Sequence, residues 1–130
     1  MTDQERQLLL KDLAARVPYG VMVDQSLYNQ PIASNVQRLK NVQSNNCVQL
    51  YWKYFNDFIP IDCIRPYLRP MSSMTDDEKF EYDEMSYFYD IGLNFNISEI
   101  DWLNSHYFDY RGLIKKGLAL EAPEGMYKTK

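Results

Sequence analysis

The sequence predicts an α+β fold, in which a small antiparallel sheet packs with an N-terminal helix and two later helices. The beginning of the chain and the acidic segment after Thr75 both have helix-capping patterns. Residues 19–62 instead show apolar patterns of period two, which are typical of strands. A chain of 130 residues is expected to form a single domain. A partly open small barrel with peripheral helices is the alternative arrangement of the same elements.

The first helix is predicted over residues 3–16. Thr2 and Glu5 have capping-box spacing, so each side chain can accept a hydrogen bond from the backbone N–H of the other residue. The helix should end before Pro18, because the residue that precedes a proline is disfavoured in helical conformation. The face expected to pack on the sheet has apolar residues at i, i+3, i+4 and i+7, namely Leu10, Leu13, Ala14 and Val17.

Residues 19–62 are predicted to form an antiparallel β meander. Tyr19–Asp24 alternates in hydropathy, and Cys47–Phe55 does so most clearly. The polarity of Val36–Gln43 predicts an exposed edge strand, and Phe58–Ile61 is a further short strand. The predicted core face of the clearest strand consists of Val48, Leu50, Trp52 and Tyr54.

A proline joint over residues 60–78 is predicted to connect the sheet to the helices. Its three prolines fix the backbone locally, and Tyr67–Arg69 should be extended between two of them. Thr75 and Glu78 then form a second capping box. The helical part is predicted over residues 76–106, as one helix from 76 to about 87 and another from Ser98 to near His106. Residues 122–130 are predicted to be a mobile tail.

The later helix is expected to direct Ile100, Leu103 and Trp102 inward.

Charge and cysteine content narrow the function classes. The net charge is −4, and Thr75–Asp101 alone holds nine acidic residues and one basic residue, a charge of −8. This balance disfavours a simple phosphate-backbone binder, which needs clustered cations. The two cysteines, the polar N-terminus and the lack of a long apolar run predict a cytoplasmic protein with no membrane span. A single histidine and no CxxC spacing predict no metal site, and nothing predicts a cofactor.

Two stretches are the candidate interaction surface: the proline joint and the segment 106–111. In the second, Asp109 could orient the only histidine, but a helix-end role is the favoured interpretation for His106. An ion pair between Asp109 and Arg111 is expected to brace the turn at Gly112. The candidate residues are Arg65, Tyr67, Arg69, His106, Asp109, Tyr110 and Arg111.

Three segments, Ala14–Val23, Pro66–Thr75 and Asp101–Pro123, together resemble a family of short uncharacterised proteins. The family occurs in gut Bacteroides-type bacteria and in their phages and mobile elements. The resemblance covers both ends of the chain and leaves out residues 24–58. It implies a small intracellular protein, encoded on a prophage or mobile element, and it transfers no activity and no site residue.

These observations favour a non-enzymatic protein-interaction module with a protein partner. Eleven tyrosines and two tryptophans are the residue types that interfaces favour, and no catalytic signature accompanies them. A nucleic-acid-associated accessory protein is the alternative, because arginine and tyrosine alternate in the joint and could contact phosphates and bases. Its cations would be Arg38, Lys40, Lys53, Arg65 and Arg69. An enzyme that uses residues 106–111 is the third and least favoured hypothesis.

Overall fold

The computed structural model of the protein describes residues 1–26, 36–43, 46–51, 58–90 and 96–127. Within these residues the chain forms a mixed six-stranded sheet and three α-helices, which confirms the α+β class. The helices are α1 (Asp3–Arg16), α2 (Asp76–Asp90) and α3 (Asn96–Ser105). The strands are β1 (Met22–Asp24), β2 (Val36–Val42), β3 (Cys47–Leu50), β4 (Ile59–Pro60), β5 (Arg65–Leu68) and β6 (Leu120–Glu121).

The sheet has more strands than the predicted meander, and one of its strand pairs is parallel. Its order is β4-β3-β2-β1-β5-β6. Strands β1 to β4 pair in sequence order as an antiparallel meander, as expected. Strand β5 lies beyond position 62 and pairs antiparallel with β1, and β6 then adds to β5 in parallel. The sequence leaves open whether Leu118–Leu120 adds a final strand or packs loosely, because so short a run cannot show a period, and Leu120 does enter β6.

The prediction that β2 lies at the sheet edge is wrong. This strand pairs with β1 on one side and with β3 on the other. Its charged residues Arg38 and Lys40 are exposed, whereas Leu39 between them is 1% exposed and belongs to the core. Val48 and Leu50 of β3 are buried as predicted, while Trp52, Lys53 and Tyr54 lie outside the described residues.

Helix α1 has the predicted bounds, and its packing face overlaps the predicted one: Leu13 is buried, and Leu10 and Val17 pack partly buried against the core. The capping box is present, with Glu5 N donating to Thr2 Oγ1 at 3.1 Å and Thr2 N donating to Glu5 Oε1 at 2.8 Å. A short 3-10 helix with Pro18 in its first turn follows. The buried residues are Leu9, Asp12, Leu13 and Arg16, whereas Ala14 is exposed. The face is rotated because Asp12 and Arg16 neutralise each other and can therefore enter the interior as a pair.

The proline joint supplies strand β5 and the start of α2. Its extended part pairs with β1 through Val23 and Pro66 and with β6 through Tyr67 and Leu120. The second capping box is also present, because Glu78 N donates to Thr75 Oγ1 at 3.2 Å. In α3, Leu103 is buried as predicted and Trp102 is half-buried, but Ile100 is 38% exposed and does not pack inward.

The C-terminal segment contacts the body of the protein through Tyr127, which lies within the residues 122–130 that the sequence predicts to be a mobile tail. The Tyr127 hydroxyl accepts from Met22 N at 2.7 Å and donates to Tyr67 O at 2.9 Å. The segment also joins the core cluster of α1 and the sheet through Leu118 and Ala119. None of the three described helices combines the length and hydropathy that a membrane crossing requires.

Candidate functional site

The fold brings the two sequence candidates together. Residues 107–109 run parallel to the end of the proline joint, where Arg69 and Phe108 form a β-bridge. Arg69 N donates to Tyr107 O at 2.7 Å, and Asp109 N donates to Arg69 O at 2.8 Å. Side chains that are about 40 positions apart in sequence therefore share one surface region beside α2 and α3.

An aromatic stack fills this junction. Trp102 of α3 lies 4.2 Å from the His106 ring and 5.7 Å from the Phe108 ring, measured between centroids. Tyr82 of α2 extends the stack, with its ring 5.8 Å from Trp102. The Arg69 guanidinium carbon lies 4.2 Å from the Phe108 centroid on the other side, in cation–π geometry. The stack joins both later helices to the joint.

Arg69 is held by a bidentate ion pair with Glu78. Arg69 Nη1 and Nη2 donate to the two Glu78 carboxylate oxygens at 2.8 and 2.7 Å. One of these oxygens also accepts from Thr75 N, so the carboxylate serves the helix cap and the ion pair together. The Arg69 hydrogen bonds lower the pKa of Glu78 to about 2, although burial opposes this. Arg69 therefore stabilises the fold through its ion pair with Glu78.

Arg65 and Tyr67 contribute less to a free surface than the sequence indicates. Arg65 Nη2 donates to Asp24 Oδ2 at 3.1 Å, across the β1–β5 pair. Tyr67 is half-buried, and burial raises the pKa of its hydroxyl.

His106 and Asp109 do not form a catalytic pair. His106 Nδ1 lies 2.9 Å from Trp102 O, which is the predicted contact with a carbonyl of the last helical turn. Both Asp109 oxygens accept backbone hydrogen bonds, from Leu113 N at 2.8 Å and from Ile114 N at 3.0 Å. The Asp109 carboxylate thus braces the turn through backbone amides. The prediction that it pairs with Arg111 is wrong, because Arg111 pairs with Asp12.

Arg111 instead enters a buried network with α1. The Asp12 carboxylate accepts hydrogen bonds from Arg16 Nε and Nη2 at 2.9 and 3.0 Å, and from Arg111 Nη1 at 2.9 Å. Arg111 also donates to the Tyr110 hydroxyl at 2.8 Å. That hydroxyl in turn donates to Asn104 Oδ1 at 2.9 Å. Sequence reasoning missed Asp12 and Arg16, since an i, i+4 pair of opposite charges normally indicates an exposed helix face. The network fixes residues 104–111 to α1.

An exposed surface of α2 contains a large apolar side chain that remains mostly accessible to solvent. Phe80 is 69% exposed, the largest value among the exposed large hydrophobic residues described. Residues at i±3 and i±4 share a helix face, and all four such positions around Phe80 are exposed acids. We call this surface the Phe80 face; it consists of Asp76, Asp77, Phe80, Asp83 and Glu84.

A cleft of about 410 Å³ borders the Phe80 face. Met71, Met74 and Tyr82 give it apolar walls, and Asp76 and Asp83 line both the cleft and the face. The sequence carried a signal for this surface, because the segment 76–84 contains six acids with one phenylalanine among them. Only the packing of α2 could show which side of the helix stays exposed.

No family model, curated protein or solved structure matches this chain. Across the described ranges, no group of three or more His, Cys, Asp or Glu side chains is placed to hold a metal ion. The function is therefore inferred from the geometry of these surfaces.

Proposed function

We propose that the protein is a non-enzymatic interaction module that binds a basic protein partner through the Phe80 face. The observation that carries this proposal is the exposure of Phe80, at 69%, inside a ring of four carboxylates. Burying a phenylalanine against a partner contributes about 1.5–3 kcal/mol. The acids around it favour a surface rich in lysine and arginine and disfavour other partners.

The neighbouring cleft supports a basic partner side chain in particular. Lysine and arginine have apolar stems and charged ends, so they can place the stem along apolar walls and the charge near carboxylates. Met71 and Met74 offer such walls, and Asp76 and Asp83 offer two carboxylates against the single cation of Lys79, which also lines the cleft. Methionine is adaptable in shape, which suits a pocket that receives a flexible side chain.

The opposite side of α2 holds the Phe80 face in place before a partner arrives. Glu78 is paired with Arg69, and Glu81 accepts from Trp102 Nε1 at 2.9 Å. Tyr82 lies against the Trp102 ring. A preorganised surface loses less conformational entropy on binding, which favours affinity.

The cellular setting is part of the same proposal. We place the module in the cytoplasm, where the two free cysteines, Cys47 and Cys63, would remain reduced. The resemblance to short proteins of Bacteroides-type bacteria and their mobile elements supports a prophage or mobile-element origin.

A nucleic-acid-associated role is the weaker candidate. Two of its five cations, Arg65 and Arg69, are already paired with carboxylates, and Lys53 lies outside the described residues. Arg38 and Lys40 remain exposed on one face of β2. Two cations contribute little to phosphate binding, since affinity and salt dependence grow with the number of phosphates neutralised.

Co-purification from nuclease-treated bacterial lysate tests the proposal. Tagged wild type is compared with Phe80→Ser and with the double variant Asp76→Lys/Asp83→Lys, and retained proteins are quantified by mass spectrometry. We expect a partner with a basic surface to be retained by the wild type and reduced at least about tenfold by either variant. Retention of that partner should fall as salt is raised.

Tyr51→Ser is the matched control, because Tyr51 is also a strongly exposed aromatic residue, at 59%, but follows β3. It should retain the partner as well as the wild type does. A partner that binds Phe80→Ser undiminished would contradict the proposal. Partners that disappear with nuclease treatment would favour the nucleic-acid role instead.

A further inference from the structure

One arginine differs from the other five. Arg38 is exposed on β2, and none of its guanidinium nitrogens forms an ion pair with a carboxylate of the described residues. Every other arginine of the chain has such a partner; these are Arg6, Arg16, Arg65, Arg69 and Arg111. A cation left without a partner inside a cleft is available to a ligand.

Arg38 lines a cleft of about 430 Å³ whose described walls also include three tyrosines and two methionines. We call it the tyrosine–arginine cleft; it is formed by Tyr19, Arg38, Tyr107, Met126 and Tyr127. The volume is within the range of sites that take small organic ligands. These residues come from β2, from the connection after α1, from the turn after α3 and from the C-terminal segment, so the cleft exists only in the folded chain.

The hydroxyl groups of two of the three wall tyrosines, Tyr107 and Tyr127, are already hydrogen-bonded within the protein. The Tyr107 hydroxyl donates to Tyr19 O, and the Tyr127 hydroxyl bonds to Met22 N and Tyr67 O. The two rings stack with centroids 3.6 Å apart. The tyrosine rings and methionines supply the apolar part of a cleft whose accessible surface is largely polar, and Arg38 has the only charged side chain among the described residues that line it, so the guanidinium is the charged recognition group.

The cleft is also held in a specific shape. Tyr107 has φ of 64°, a left-handed conformation that non-glycine residues rarely adopt and that clusters at functional sites. A Cβ atom at Gly20 would lie 3.5 Å from Arg38 Nε, so the guanidinium lies against the backbone there. Burial raises the pKa of Tyr107 and the positive charge of Arg38 opposes this, as expected if that charge acts within the cleft.

We infer that the tyrosine–arginine cleft binds a small aromatic anion, whose carboxylate or phosphate pairs with Arg38 and whose ring packs on the tyrosine and methionine walls. Guanidinium matches both oxyanions because it can donate two parallel hydrogen bonds. The aromatic body of the ligand is inferred from the walls, since aromatic surfaces favour offset or edge-to-face ring contacts. This site is separate from the Phe80 face, and its ligand is a small molecule.

Chemical-shift titration of the ¹⁵N-labelled full chain tests the inference. The probes are benzoate and phenyl phosphate, with benzyl alcohol as the neutral analogue and inorganic phosphate as the anion without a ring. We expect saturable shifts at Gly20, Arg38 and Tyr107 for at least one aromatic anion, and binding at least about tenfold weaker for benzyl alcohol and inorganic phosphate. Which aromatic anion binds more tightly identifies carboxylate or phosphate as the preferred group.

Arg38→Gln should weaken that binding at least about tenfold, and Arg38→Lys should weaken it less, because the charge stays but the paired donors are lost. Lys40→Gln is the matched control, since Lys40 is an exposed cation two residues along the same strand and should leave binding unchanged. Phe80→Ser should also leave it unchanged, which separates this site from the proposed partner surface. Equal binding by Arg38→Gln, or no saturable shift with either aromatic anion at about 10 mM, would overturn the inference.

Discussion

The two ends of α1 carry the same kind of ion pair in opposite surroundings. Near the first turn, Arg6 pairs with Asp3 and Asp62, and the side chains of Arg6 and Asp62 are 28% and 43% exposed. In the last two turns, Arg16 pairs with Asp12, and both side chains are 0% exposed. The Arg69–Glu78 pair lies between these extremes, at 17% and 11%. The comparison isolates the effect of solvent on one chemical contact.

The burial of an ion pair determines how its removal affects the stability of the protein. An exposed pair gains little, because water and salt screen it and both side chains lose freedom. A buried pair gains little in net terms too, but removing one partner leaves a charge in the interior, which is strongly destabilising. The Asp12 network is the sharper case because one carboxylate serves two guanidinium groups. A buried pair therefore favours the fold in which both charges are paired over any fold that would leave one of them buried alone.

Asp12→Ala should have the largest effect on stability. It removes the carboxylate shared by Arg16 and Arg111, and leaves a fully buried guanidinium without its counter-ion. We expect a loss of about 3–5 kcal/mol in the free energy of unfolding, measured by urea denaturation.

The double variant Asp12→Leu/Arg16→Met provides the control for this prediction. Because it removes the buried charge together with its partner, it should be more stable than Asp12→Ala. Arg111 is partly exposed and keeps its bond to Tyr110 in both variants. If the double variant is less stable than Asp12→Ala, the interpretation of an uncompensated buried charge is wrong.

Glu78→Gln should have an intermediate, pH-dependent effect. The folded-state pKa of Glu78 is about 2, below its ordinary value of 4.5, so the stabilisation is fully present above pH 4.5 and is lost as the pH falls towards 2. We expect the variant to be about 1–3 kcal/mol less stable than the wild type at pH 7. The difference should disappear near pH 2.

Glu84→Gln, on the exposed side of the same helix, is the matched control for Glu78→Gln. Denaturant curves of all three proteins at pH 7, 4 and 2 give the comparison. A Glu78→Gln deficit that stays constant from pH 7 to pH 2 would show that packing, and not the ion pair, accounts for it.

Arg6→Ala should have the smallest effect. Its contacts with Asp3 and Asp62 are exposed, so the loss in thermal stability should be minor and should vanish at about 1 M salt. Lys11→Ala, an exposed cation in the middle of α1, controls for loss of a long side chain from that helix. A loss that approaches that of Asp12→Ala would mean that Arg6 holds α1 to residues 61–63, and depth would not be the deciding factor.

The candidate site was only partly predictable from the sequence. The segment 106–111 and the joint were identified as special, and they do meet, but their charged residues serve the fold. Phe80 and Arg38 carry the proposed surfaces. The sequence analysis does not single out Phe80, and it names Arg38 only as a cation of the nucleic-acid alternative. Both are ordinary residues in sequence; what distinguishes them is exposure and the absence of an ion pair among the described residues, which are properties of the folded chain.

The sequence by itself determined the features whose bonds span three or four residues. Both capping boxes, the end of α1 before Pro18 and the extended residues of the joint follow from local hydrogen bonding and from proline geometry. The tertiary structure decided the central place of β2, the parallel β5–β6 pair and the burial of Asp12 with Arg16. The strand pairs of β2 join residues 6 to 16 positions apart, β5 and β6 join residues 53 positions apart, and Asp12 meets Arg111 across 99 positions. The free energy of burying a group depends on which of those partners it meets.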